Sequence, residues 1–135
     1  MDATKLNWAV GENSHKAEDP EILDSSARKI IWFDIIEFLN YAQGPWAIDP
    51  NNLSYKREKK LKTVKKHFEN GGWMDPTDVQ GTIADLFEGA TDERLVVEGR
   101  HRLVAALLLG ETYAPFSVPL KLVDNLKANI TNLDN

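Results

Sequence analysis

Apolar positions along the chain fall into short runs with clear punctuation, and their spacing predicts a small set of elements. Lys29 to Asp34 is β-branched and aromatic, which predicts a strand. From Ile31 the spacing also fits a helix, with Ile31, Ile35, Phe38 and Ala42 on one face, so the strand is expected to pass into a helix reaching about Tyr41. Gly44 and Pro45 end it. A turn at Asp49, Pro50, Asn51 and Asn52 precedes a second helix from about Lys56 to Glu69, whose apolar stripe is Leu61, Val64 and Phe68. Asn70-Gly71-Gly72 stops that helix.

Trp73 to Val79 reads as a loop and Gly81 to Phe87 as a strand, with a hairpin turn at Glu88 to Asp92 leading into a strand over Arg94 to Val97. Gly99 to Leu109 is apolar all round after its first turn and stops at Gly110, the pattern of a helix buried against a sheet. A last strand is expected over Phe116 to Val123, delayed by Pro115 and Pro119, followed by a short polar helix or tail. The order strand, helix, helix, hairpin, buried helix, strand predicts a compact α+β domain on a mixed sheet. Its expected bounds are residues 29–124, with an N-terminal extension over 1–28 and a C-terminal tail over 125–135.

A chain of 135 residues suits one domain and can bury a core without disulfides or metal. The absence of cysteine removes disulfides, cysteine nucleophiles and thiolate metal sites together. Met1 to Val10 has no apolar segment of the signal-peptide kind, and the longest apolar run, Leu103 to Leu109, is far short of the roughly 18 residues of a membrane span. A cytoplasmic protein with no membrane partner is the expectation.

Net charge of −5 does not by itself indicate a nucleic-acid partner, but its distribution is uneven. Residues 56–67 hold seven basic groups and one acidic group, while the rest of the chain carries nine basic and twenty acidic. A basic strip thus lies on an acidic body. Lys56, Arg57, Lys59 and Lys60, with Lys62, Lys65 and Lys66 beyond them, either track a nucleic-acid backbone or form a solvated helix face. The start of this helix, near Lys56 and Arg57, is also placed to lean toward a phosphate site.

The junction from Val97 to Leu103 carries the chemistry. An apolar strand stops at Glu98, Gly99 makes the turn, and a helix opens at once with Arg100, His101 and Arg102. The first turn of a helix has free N–H groups and a partial positive charge, so two arginines there conflict with the dipole unless an anion joins them. A phosphate would accept from the N–H groups and pair with the guanidinium forks. The alternative is that both arginines pair with nearby acidic side chains, Glu98 among them. Glu98 either supports Mg²⁺ or acts as a general base, or it orients the arginines. His101 either donates to phosphate and serves as acid or base, or caps the helix. Glu98 and His101 are therefore the candidate catalytic residues, Glu98 the candidate metal ligand, and Gly99, Arg100, His101 and Arg102 the candidate phosphate-binding set.

The run Gly99-Arg100-His101-Arg102-Leu103-Val104-Ala105-Ala106 with the closing Gly110 resembles the signature helix of the ParB N-terminal domain. There a glycine and two variable residues precede an arginine, small residues and a second glycine. Ile48-Asp49-Pro50-Asn51, followed by a charged helix ending at Gly71-Gly72, resembles the opening segment of the same domain, and the whole resemblance spans roughly residues 29–123. Gly99, His101 and Arg102 are also similar to the sulfiredoxin signature. The resemblance implies the ParB/sulfiredoxin-like fold and contact of this segment with nucleotide phosphates, ATP or CTP with Mg²⁺. Arg100 stands where sulfiredoxin has its catalytic cysteine, so sulfinic acid reduction of that kind is excluded. Leu103 and Val104 stand where an aromatic residue and another arginine are common in partition ParB. No helix-turn-helix or dimerisation domain is read after the fold, so the resemblance is to single-domain ParB-like proteins of phages and mobile elements.

Two functions are expected from this reading. One is a nucleotide-binding or phosphoester-cleaving domain in a DNA-related process, with nucleotide and DNA as partners. The other is a non-catalytic binding module, such as a phage- or plasmid-encoded inhibitor or adaptor, whose acidic body meets a host or partner protein.

Overall fold

Strand β2 (Arg28–Asp34) runs without a loop into helix α1 (Ile35–Tyr41) in the computed structural model, which describes residues 6–16, 27–42 and 55–133. Asp34 makes the change possible: its carboxylate accepts from the Glu37 N–H at 2.9 Å and so satisfies one of the free donors of the first turn. Alternation along β2 puts Ile31 and Phe33 in the core, and the helical period carries the same apolar face on through Ile35 and Phe38.

Helix α2 (Tyr55–Glu69) buries Leu61 and Phe68, with Val64 packed beside them. Past its end, a Cβ on Gly72 would stand 2.2–2.5 Å from the His67 ring, so a side chain there would displace that ring. The turn over Asp49 to Asn52, the segment Ile48 to Asn51, Gly44-Pro45 and the Lys56 side chain lie outside the described residues.

The stretch expected as a loop after Gly72 contains two strands, β3 (Trp73–Met74) and the start of β4 (Thr77–Thr82). Strand β3 pairs in parallel with β1 (Asn7–Trp8), which is followed by a 3-10 helix over Gly11–Lys16. Trp8 is only 3% exposed and its ring meets Phe68 edge-on, so this part of the expected N-terminal extension belongs to the core. Ladder partners this far apart leave no local signal, which is why the segment read as a loop.

The strand expected over Gly81 to Phe87 and the turn after it are corrected as well. Strand β4 ends at Thr82, and α3 (Ile83–Leu86) follows. Thr82 and Asp85 form a reciprocal capping box that starts this turn of helix. Strand β5 (Leu95–Glu98) then returns antiparallel to β4, with a register shift between Val79 and Gly81.

Helix α4 (Arg100–Leu108) follows β5, and β6 (Tyr113–Pro119) comes after it, three residues earlier than the expected Phe116. Pro115 is tolerated because pairing of β6 with β4 begins only at Phe116, so Pro115 has β2 alone beside it. Pro119 closes the strand and α5 (Leu120–Asn129) begins. The domain boundary expected at 124 falls inside α5. Leu126 and Ile130 are buried, and residues 131–133 follow the outer edge of β2, where Thr131 accepts from Asp34 N and Leu133 donates to Trp32.

The result is an α+β fold on a mixed sheet of order β2-β6-β4-β5, antiparallel at both ends and parallel between β6 and β4. Ile31, Phe33, Ala114, Phe116, Val79 and Leu95 are buried in one core. Phe38 of α1 stacks on Phe116 with centroids 4.0 Å apart, tying that helix to the centre of the sheet. Helix α4 buries Leu103 to Ala106 and packs with α1, α2 and β4, so its first turn emerges between α2 and the end of β5. Among the described residues no helix is long and apolar enough to cross a membrane.

Leu126 reports whether α5 is part of this core or an appendage. Truncation to alanine should lower the unfolding free energy by about 2–5 kcal/mol in urea titration, the range for a buried leucine. A change within a few tenths of that quantity would mean a loosely attached tail.

Candidate anion site at the start of α4

The site begins with Gly99, which turns the chain from β5 into α4 with φ of 97°, a left-handed conformation that glycine adopts freely. A Cβ here would also stand 3.1–3.3 Å from the guanidinium of Arg102, which folds back over the turn. Arg102 Nη1 donates to the carbonyl oxygens of Asp75 and Pro76, each at 3.0 Å. Thr77 Oγ1 donates to the Gly99 carbonyl at 3.2 Å. The segment between β3 and β4 therefore forms a backbone collar around the start of α4. Arg102, placed by sequence in the phosphate-binding set, spends at least one nitrogen on that collar.

No side chain caps α4, and its first turn holds no acidic residue. Arg100 Nη1 and His101 Nε2 are both buried without a hydrogen-bond partner among the described residues. Each such group costs about 1–3 kcal/mol relative to one that is bonded, so two side by side are unusual.

Helix α2 adds further charge. Arg57 lies one turn before Leu61, beside the buried stripe, and the exposed Lys60 flanks it, close enough for both to act on the charge of the α4 start. Their effect is visible in the protonation of the site. Burial, followed by Arg57, pulls the Arg100 guanidinium below its usual range, against an opposing pull from Glu98. Burial is also the largest cause at His101, followed by Lys60, Arg100 and Arg57, and together they bring it down to about 4. His101 is thus neutral at pH 7, near three cations.

The residues singled out from sequence therefore separate. Arg100 and His101 come together with Arg57 and Lys60. Lys59 points away with the exposed Lys62 and Lys66, on the face of α2 opposite its buried stripe. Glu98 is exposed at the end of edge strand β5, opposite Asp78, whose carboxylate pairs with Arg28 at 2.6 Å. Among the described residues no group of three or more histidine and acidic side chains is placed to hold a metal ion. The collar of Asp75, Pro76 and Thr77 was not legible as part of a site, since it acts mainly through backbone oxygens.

An oxyanion is the class of ligand that groups of this kind would satisfy. The bare nitrogens supply donors, and the neighbouring cations supply the attraction. Comparison of the chain with family models, curated proteins and solved structures returned no match.

Two measurements check this geometry. Arg102→Ala bares the Asp75 and Pro76 carbonyls and should lower stability by about 1–3 kcal/mol in chemical denaturation. Arg102→Lys, with a single compact ammonium, should recover only part of that loss. The depressed midpoint of His101 has its own signature. The unfolded chain binds this proton near pH 6.5 and the folded one only near 4, so stability present above 6.5 is lost as pH falls toward 4. His101→Gln should flatten the stability curve across that window, and an identical curve for both proteins would exclude the assignment.

Proposed function

We propose that the chain is a phosphate-binding domain whose ligand is a nucleotide, held at the start of α4 by Arg57, Lys60, Arg100 and His101. One observation carries this reading: two buried nitrogens without partners among the described residues, Arg100 Nη1 and His101 Nε2, lie in a first helical turn that no side chain of those residues caps. A fold that assembles like charges and leaves their donors bare is suited to an anion that satisfies both. The resemblance of Gly99 and Arg102 to the ParB signature, and of Gly99, His101 and Arg102 to that of sulfiredoxin, is in keeping with this reading, and suggests ATP or CTP as the ligand and a DNA-related process as the setting.

In this reading Gly99 brings the backbone close to the phosphates and Arg102 keeps the turn rigid. Arg100 and His101 donate from α4, and Arg57 and Lys60 neutralise charge from α2. A triphosphate brings Mg²⁺ with it, and that ion takes most of its ligands from phosphate and water, so one carboxylate is sufficient on the protein side. Glu98, one residue before the turn, is the group for that place, and it also stands where a base for an attacking water would be needed.

The test is thermal stability with ATP, CTP, GTP and a short DNA duplex, each with and without Mg²⁺. A ligand that binds only the folded state adds about 2.7 kcal/mol at a hundredfold excess over its dissociation constant. A nucleotide-dependent rise in melting temperature that disappears in Arg100→Ala and shrinks in Arg57→Ala is the expected result. Loss of turnover in Glu98→Gln, with binding kept, then identifies an enzyme. No shift with any of the ligands in a well-folded protein removes the nucleotide reading and favours a binding module that works through other surfaces.

A further inference from the structure

Two edges bound the mixed sheet, and the chain treats them differently. Residues 131–133 follow the outer edge of β2, where Asp34 N donates to Thr131 and Leu133 N to Trp32. Strand β5 is the other edge, and among the described residues nothing pairs on its outer side. The Arg94 carbonyl accepts from Ile83 N, on the β4 side, at 2.9 Å, and the direction of the backbone groups alternates along a strand. The N–H and C=O groups of Leu95 and Val97 therefore point outward. Their side chains are buried in the core, while Arg94, Val96 and Glu98 share the opposite face. Val96 is half-buried there and is not part of the core cluster. Strand β5 holds no proline, no lysine and no bulge of its own, devices that keep an edge from pairing; the register shift lies on β4, between Val79 and Gly81.

We propose that β5 is the seam of a homodimer: two copies of the chain join their β5 strands antiparallel about a two-fold axis, with Leu95 opposite the partner's Val97, into one continuous sheet. The strand is complementary to itself in this register. Leu95 and Val97 carry the free outward groups, so each of their pairs exchanges both N–H···O bonds. Val96 meets the partner's Val96 on the axis, in a non-hydrogen-bonded pair, where facing side chains come closest. Arg94 falls opposite the partner's Glu98, and Glu98 opposite the partner's Arg94, so opposite charges meet on both sides of the axis. Arg94 already holds Asp92 through Nε and Nη2, which leaves Nη1 for the partner. Glu98 is exposed and forms no ion pair among the described residues. In the two neighbouring registers of the same phase, Leu95 on Leu95 or Val97 on Val97, Val96 faces a charged Arg94 or Glu98 instead. An unrelated strand has no reason to match β5 in backbone phase, apolar centre and charge together, and this self-match makes a second copy the occupant. A seam of four residues a side is small, so the dimer is a weak one that forms at high protein concentration. The seam needs no ligand at the start of α4 and stands apart from the phosphate-site reading.

Sedimentation equilibrium from micromolar to near-millimolar concentration, with amide hydrogen exchange at the same concentrations, tests the seam. Wild type should approach twice the chain mass as concentration rises, and the Leu95 and Val97 amides should become protected in step. Val96→Lys sets like charges against each other on the axis and should weaken association by about tenfold or more. Arg94→Glu and Glu98→Arg should each weaken it too, because both opposite-charge pairs become like-charge pairs. Arg94→Glu combined with Glu98→Arg restores opposite charges and should associate as wild type does. A chain that stays monomeric at the highest concentration overturns the proposal, whether its Leu95 and Val97 amides exchange freely or are protected within the chain itself. A dimer whose amides at these positions exchange as in the monomer, or one that Val96→Lys leaves unweakened, uses another surface and overturns it equally. Should the variants not fold, the two amides in wild type decide alone, and exchange that does not slow as the dimer forms overturns the proposal.

Discussion

A single guanidinium nitrogen, Nη1 of Arg102, holds two backbone carbonyls, and the geometry around the start of α4 depends on that grip. Asp75 and Pro76 lie between β3 and β4, so the contact fixes the helix to the segment that joins the small parallel sheet to the large one. Gly99 suits the same contact, since a Cβ there would stand only 3.1–3.3 Å from the folded-back guanidinium. A cation in the first turn conflicts with the helix dipole, and two carbonyl dipoles at 3.0 Å offset that conflict locally. Arg102 is thereby stable where it is without an external anion, and Arg100, one residue from Gly99, is not in the same position.

The contrast between these two arginines separates structure from candidate function. Both belong to one short run of sequence and to one turn of helix. Arg102 reaches a collar of backbone oxygens, whereas Arg100 Nη1 reaches no acceptor among the described residues and feels Arg57 as a like charge. The packing of α2 on α4, with Leu61 and Phe68 buried in the core, holds these charges together, and the burial of Leu103 to Ala106 anchors the helix that presents them. Hydrophobic burial is the larger force, at about 1.5–3 kcal/mol for each large side chain, so it can hold an electrostatically unfavourable arrangement in place. Sites poised for a ligand commonly show this division, with strain at the site and compensation in the core.

Much of the frame was legible in the chain. The passage from β2 to α1 at Asp34, helix α2 with its Leu61 and Phe68 stripe, and the apolar helix α4 with glycines at both ends all follow from periodicity and capping, which act over three or four residues. The α+β class follows from their order. Strands β1 and β3 did not, because Asn7 and Trp73 stabilise each other only once distant segments have met. The capping box of Thr82 and Asp85 was present in the sequence, but the alternation from Gly81 onward also fits a strand, and local pattern alone does not choose between them.

The site divides along the same line. By itself the sequence determined that a glycine turn leads from an apolar strand into a helix beginning Arg100, His101 and Arg102, and that one other helix is densely basic. Those are local facts of composition and spacing. Only the tertiary structure decided that Arg57 and Lys60 act on the charge of this turn, that Arg102 is held by the oxygens of Asp75 and Pro76, and that Arg100 and His101 have buried nitrogens unpaired among the described residues. The reason is physical: the charge state and bonding of a side chain depend on which remote groups come within a few ångströms of it, and that proximity is set by packing of the core.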